Sequence, residues 1–111
     1  MLLMYADPAE TKPMSASDRD GVLRKHEALV AELTESGELR DGAGLDYPST
    51  TTTLVWNHGD PVTTEGPFTD AREQVTAYYV VDCASPDRAR ELARQLLDFH
   101  VTAVEVRGIH T

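Results

Sequence analysis

Residues 74–84, Gln-Val-Thr-Ala-Tyr-Tyr-Val-Val-Asp-Cys-Ala, constrain the fold more than any other stretch. Val75, Ala77, Tyr79 and Val81 alternate with Thr76, Tyr78, Val80 and Asp82. Bulk on both alternating faces predicts a central strand covered on both sides. Ser85-Pro86 follows, a hydroxyl cap and then proline at the first helical position. Ala89, Leu92, Ala93, Leu96 and Leu97 recur at helical spacing, which predicts a helix to about Phe99.

The remaining segments follow the same rules. Met1 to Tyr5 is a continuous apolar run ended by turn residues, and reads as a short buried strand. Asp7 to Ser15 is a polar loop with two prolines. A first helix starts near Ser15 or Ser17, where Ser15 and Asp18 form a weak capping box, and stops at Gly37. Val22, Leu29, Val30 and Leu33 make its apolar stripe, and His26 lies on that stripe. The segment Glu-Leu-Arg-Asp-Gly-Ala-Gly-Leu-Asp-Tyr-Pro-Ser, 38–49, reads as a loop with a short extended piece near Leu39. Residues 51–56 and 61–64, joined by Asn-His-Gly-Asp, predict a β-hairpin. A last strand is expected within 102–109, where Val104 and Val106 alternate with Glu105 and Arg107.

The order strand, helix, hairpin, strand, helix, strand gives an α+β, ferredoxin-like βαββαβ plan with an extra hairpin, in one domain spanning 1–111. Two helices cover one sheet face. The other face would carry Tyr78 or Tyr79 and valines, so a second sheet packed against it, and hence a homodimer, is expected.

Composition narrows the partners. The 111 residues include 41% hydrophobic side chains and carry a net charge of −9. Such a surface disfavours nucleic acid and anionic membranes. The single cysteine, Cys83, forms no internal disulfide and fits a reducing, cytosolic setting. The start has no basic segment of a secretory signal, and no apolar run approaches the roughly 20 residues of a membrane helix.

His26 is the first candidate for chemistry. A histidine on an apolar stripe must find a partner or remain neutral. A backbone carbonyl at the helix–sheet boundary would satisfy it; a carboxylate would make it a base held in one tautomer. The turn Glu65-Gly66-Pro67-Phe68 offers such a carboxylate on a rigid loop, although Gly-Pro also punctuates ordinary turns and Phe68 also suits a core edge. Arg72 reads as one half of an exposed ion pair, and Glu73 as either a cavity residue or that pair's acid. Cys83 suits a small buried apolar position. His26, His58, His100 and His110 lack metal-ligand spacing, so no metal is expected, and no Gly-rich phosphate loop is present.

Taken in order, Met-Leu-Leu-Met-Tyr at the start, His26 within His-Glu-Ala-Leu-Val-Ala-Glu-Leu, Gly37-Glu-Leu-Arg, Thr-Glu-Gly-Pro-Phe-Thr-Asp-Ala-Arg-Glu-Gln, the run from Tyr78 to Ala93 and the closing Ala-Val-Glu-Val-Arg-Gly-Ile resemble the YCII-related family, in its DGPF-domain branch. The match spans nearly the whole chain. It departs in Glu65, where the family has aspartate, and in Val75-Thr76-Ala77, where the family often has Leu-Gly-Gly. Lost glycines there imply a narrower cavity.

The resemblance implies a dimeric α/β barrel of two ferredoxin-like halves, with a cavity between sheet and helices. It implies a polar pair of His26 as acid/base and Glu65 orienting it, with Phe68, Glu73 and Tyr79 lining the pocket. Related barrels include isomerases, dehalogenating enzymes and monooxygenases of small molecules. The expected activity is a lyase, isomerase or hydrolase acting on a small organic molecule with no cofactor. The alternative is a non-catalytic ligand-binding or regulatory protein, linked to a sigma factor of the extracytoplasmic type, because many genes of that branch neighbour one.

Overall fold

The computed structural model describes residues 1–98 and 100–110. The elements are β1 (Leu2–Ala6), a short α1 (Pro8–Thr11), α2 (Ala16–Ser36), β2 (Leu39–Gly44), a 3-10 turn (Pro48–Thr50), β3 (Thr52–Asn57), β4 (Asp60–Glu65), β5 (Gln74–Val81), α3 (Pro86–Leu96) and β6 (Ala103–Val106). The main sheet has four strands in the order β2-β5-β1-β6, all neighbours antiparallel. This is the ferredoxin-like α+β arrangement, with β3 and β4 as a separate two-stranded hairpin.

Local signals set the helix ends. Ser15 accepts a hydrogen bond from the Asp18 amide, and Ser85 accepts one from that of Arg88. Gly37 closes α2 with a φ of 79°, in the left-handed region that glycine tolerates. The third helix stops at Leu96, earlier than its periodicity suggests; Leu97 is already extended and partly exposed, and Phe99 lies outside the described residues. Leu29 and Leu33 of α2 and Leu92, Ala93 and Leu96 of α3 pack on Leu2, Met4 and Tyr79 of the sheet. That is one apolar layer between helices and sheet, the main source of folding free energy.

Two stretches expected as loops carry regular structure, the first being Pro8–Thr11, which forms the short α1. Residues 39–44 form a strand, not a loop, because β5 supplies a full antiparallel partner to an edge that local sequence would not hold. The hairpin does not join the main sheet. Its turn is tight, with positive φ at both His58 and Gly59, the conformation that matches strand twist. It stands out from the body: the radius of gyration is 15.8 Å, against about 13 Å for a compact chain of this length.

The alternation of β5 is resolved. Tyr79 faces the helices and is buried, while Tyr78 lies on the helix-free face and donates to Asp41 Oδ2 at 3.1 Å. Arg72 does form an ion pair, but with the buried Asp7, to which its Nη2 donates at 3.2 Å. Cys83 is a half-buried thiol packed against the core, and burial with nearby Glu38 raises its pKa. No helix among the described residues is long and apolar enough to cross a membrane.

Candidate active-site cavity

A cavity of about 630 Å³ lies between α2 and the β1–β5–β2 part of the sheet. That volume is in the usual range for small-molecule sites. Met4, Ala6, Val22, Val75, Ala77 and Val101 give it apolar walls. His26 from α2 and Tyr79 from β5 meet in one wall: His26 Nδ1 is 2.7 Å from the Tyr79 hydroxyl, with the rings stacked at 5.9 Å between centroids.

The register brings Tyr79 there. Gly42 of β2 stands opposite Tyr79 in the β2–β5 ladder. A Cβ on Gly42 would lie 2.6 Å from Tyr79 Cδ1, so only glycine lets the ring lie flat across the neighbouring strand. Gly44, two residues further along the same edge, also lines the cavity.

Electrostatics keeps the pair neutral. Burial lowers the His26 pKa below 6.5, helped by His100 and Lys25 and opposed by Asp98, while burial raises that of Tyr79. His100 also lines the cavity, and its Nδ1 lies 2.5 Å from Asp98 Oδ1. Burial alone would raise the Asp98 pKa. The Lys25 ammonium at 2.9 Å and the amides of Val101 and His100 outweigh it and hold the carboxyl at about 2.

Of the expected site residues, the structure brings together His26 and Tyr79. Glu65 ends the hairpin strand β4, is exposed, and is not in the cavity wall; the partner of His26 is a phenol, not this carboxylate. Phe68 is 80% exposed. Glu73 lies with Tyr5, Thr102, Ala103 and Glu105 at a shallow depression elsewhere. Sequence reasoning missed Gly42, Gly44, Arg19 and the Leu45–Pro48 loop as cavity lining. The signal was present in two glycines spaced by two, which marks one strand face open to a bulky neighbour. Among the described residues, no group of three or more His, Cys, Asp or Glu side chains is placed to hold a metal ion.

The His26 imidazole should titrate with a midpoint below 6.5, and Glu65→Gln should leave it unmoved. Asp98→Asn should lower it further, because the Asp98 charge is the one influence that raises it. Proton NMR of the ring signals reads all three. A midpoint above 6.5 that drops in Glu65→Gln would reinstate a His26–Glu65 pair.

A ferredoxin-like α+β domain with a histidine–tyrosine pair in the wall of a cavity is the class of protein that the fold and this geometry define. The family model of the YCII-related domain matches residues 1–109, and the chain belongs to that family. It is also 33% identical over 95 residues to an uncharacterized protein of Rhizobium meliloti (strain 1021), covering 86% of this chain and 77% of that one.

Proposed function

We propose that this protein binds a small, largely apolar organic molecule in the cavity and acts on it with His26 as a neutral base. The observation that carries this reading is the 2.7 Å His26–Tyr79 pair in the cavity wall. Tyr79 engages Nδ1 and holds the ring orientation. Nε2 is then the nitrogen that takes a proton from a bound molecule, and a pKa below 6.5 leaves it unprotonated at neutral pH. Bond rearrangement after proton removal would make the reaction a lyase or isomerase step; delivery of water would make it a hydrolysis. The catalytic part expected of Glu65 finds no support within one chain.

That separation of Glu65 from His26 favours the second reading, a non-catalytic ligand-binding or regulatory protein; a sigma factor as its partner rests on the family resemblance alone. One experiment divides the two. A fragment library is screened by shifts of the His26 and Tyr79 signals, and hits are followed by NMR in deuterated buffer. Deuterium incorporation or turnover that disappears in His26→Gln supports the enzyme. Binding without either supports the regulator. If no fragment moves these signals, the cavity reading fails.

A homodimer is part of the proposal. The hairpin exposes Leu54 and Trp56, at 66% and 73%, on one face, and a two-stranded hairpin is marginal in water by itself. The helix-free sheet face holds half-buried Leu3, Tyr5, Tyr78 and Val80. Both surfaces suit a second copy of the chain. Trp56 is the single tryptophan, so its emission reports on the hairpin alone. Its emission should shift to the blue as concentration rises, in step with a doubling of mass by ultracentrifugation. Trp56→Asp should remain monomeric; a wild-type chain that is monomeric at all concentrations ends the idea. Placement in the DGPF branch is supported by Gly66-Pro67-Phe68, and a cytosolic setting by the lone thiol.

A further inference from the structure

We infer that the occupant of the cavity is an organic monoanion, an apolar body carrying one carboxylate, whose charged end is held at the mouth by Arg19. This rests on the reading of the cavity as a small-molecule site and adds the ligand's charge and orientation to it.

Acidic residues outnumber lysine and arginine by 19 to 10, so a cation in this chain has no shortage of partners. Lys25, Arg40, Arg72, Arg88, Arg90 and Arg107 each have a carboxylate at ion-pair distance. Among the described residues, Lys12 and Arg19 make no such pair; of the two, Arg19 lines the cavity, and Lys12 is joined to it through a backbone carbonyl. Arg24 and Arg94 make none either, but neither lines the cavity. Arg19 lines the cavity, and its guanidinium is fixed by backbone carbonyls: Nη2 donates to Lys12 O at 2.6 Å and Nε to Met14 O at 3.3 Å. Carbonyls orient the group and leave its full charge in place. The Lys12 ammonium sits 5.4 Å from the centre of the Tyr47 ring, and Tyr47 is another wall residue.

A positioned guanidinium that lacks an anion is a receptor for one, since its cost of ordering is already met. Arginine is the residue suited to forked recognition of a carboxylate. One acid shares the rim. Asp46 also lines the cavity, but its Oδ1 accepts the Tyr47 amide at 2.8 Å, and it stays outside ion-pair distance of Arg19. The rest of the wall is mostly apolar, and His26 and Tyr79 lie in it with Thr11, Gln74, Thr76 and His100. The site therefore sorts a ligand end to end: anion outside, apolar body within, one hydrogen-bonding group at the imidazole and phenol.

The test uses calorimetric titration of the full chain with two carboxylates, hydrocinnamate and hexanoate, and the neutral amide of each. The wild-type chain should bind a carboxylate about tenfold tighter than its amide, the scale of one charge-assisted contact. Arg19→Gln should erase that preference, with circular dichroism showing the fold intact. If amide and acid bind equally well to the wild type, the anion inference is wrong while the cavity reading stands. If Arg19→Gln keeps the preference, the anion lies elsewhere and the assignment to the mouth falls. If neither acids nor amides bind, both the inference and the cavity reading fall.

Discussion

Gly42→Ala is expected to destabilise the fold by ~2 kcal/mol and to break the His26–Tyr79 pair. Two effects compete. Alanine restricts the unfolded chain and is the better strand residue, which by itself gives a gain of about 0.5–1 kcal/mol. Against this, the new Cβ would stand 2.6 and 2.9 Å from Tyr79 Cδ1 and Cε1, and 3.3 Å from the Tyr78 carbonyl oxygen. Those ring atoms belong to a buried side chain and cannot swing away like the end of a lysine. Overpacking of this kind costs about 1–3 kcal/mol, so the steric term wins. The displaced ring gives up its bond to His26 and the cavity loses its polar wall. Gly44→Ala is the control. It lies on the same strand and lines the same cavity, yet its Cβ would meet nothing within 4 Å. Chemical denaturation should show Gly44→Ala neutral or slightly stabilised beside a clearly weakened Gly42→Ala. Equal behaviour of the two would mean that Tyr79 does not depend on Gly42.

Asp98→Ala is expected to destabilise the protein by ~3 kcal/mol at neutral pH, and Asp98→Asn by about a third of that. The carboxylate organises the connection from α3 to β6. One oxygen accepts the amides of His100 and Val101 at 2.9 Å each, and the other takes Lys25 from α2 at 2.9 Å. Val101 is 1% exposed, so its amide has no access to water once the carboxylate is gone. Asparagine keeps an acceptor for the amides and loses only the charge. The pH dependence separates the two contributions. A carboxyl at about 2 in the folded state, against 3.8 ordinarily, adds stability that is full above 3.8. That stability is lost as pH falls through 2. The same direction holds for Glu38, which Arg88 and Ser36 hold at about 2. Wild-type stability should therefore fall steeply between about pH 4 and 2. Asp98→Asn should fall less steeply, keeping only the Glu38 part. Parallel acid limbs would show that Asp98 carries no such linkage.

Much of this architecture was legible because it is written locally. Ser15, Gly37 and Ser85-Pro86 mark helix ends with chemistry that acts within four residues. Periodicity placed Leu29, Leu33, Leu92 and Leu96 in the core and His26 on the buried side of α2. The order of elements was enough for the ferredoxin-like plan. Two boundaries were not legible. The third helix ends at Leu96 because Asp98 begins a turn with the backbone of Val101, a competition that hydrophobic spacing does not report. Leu39–Gly44 has two glycines and two charges, and only pairing with β5 makes it a strand.

The sequence by itself determined that a histidine would lie on an apolar helix face and need a partner. Tertiary structure alone decided which. His26 and Tyr79 are 53 residues apart, and they meet because strand pairing sets the register of β5 beneath α2 and because Gly42 leaves room for the ring. Glu65 had the more suggestive chemistry but sits on a hairpin that no ladder joins to the main sheet. Residue type gives a side chain its capacity for chemistry and helical spacing gives it a face. Its partner is fixed by hydrogen-bonded register between distant strands, which depends on the whole sheet and on no single stretch of chain.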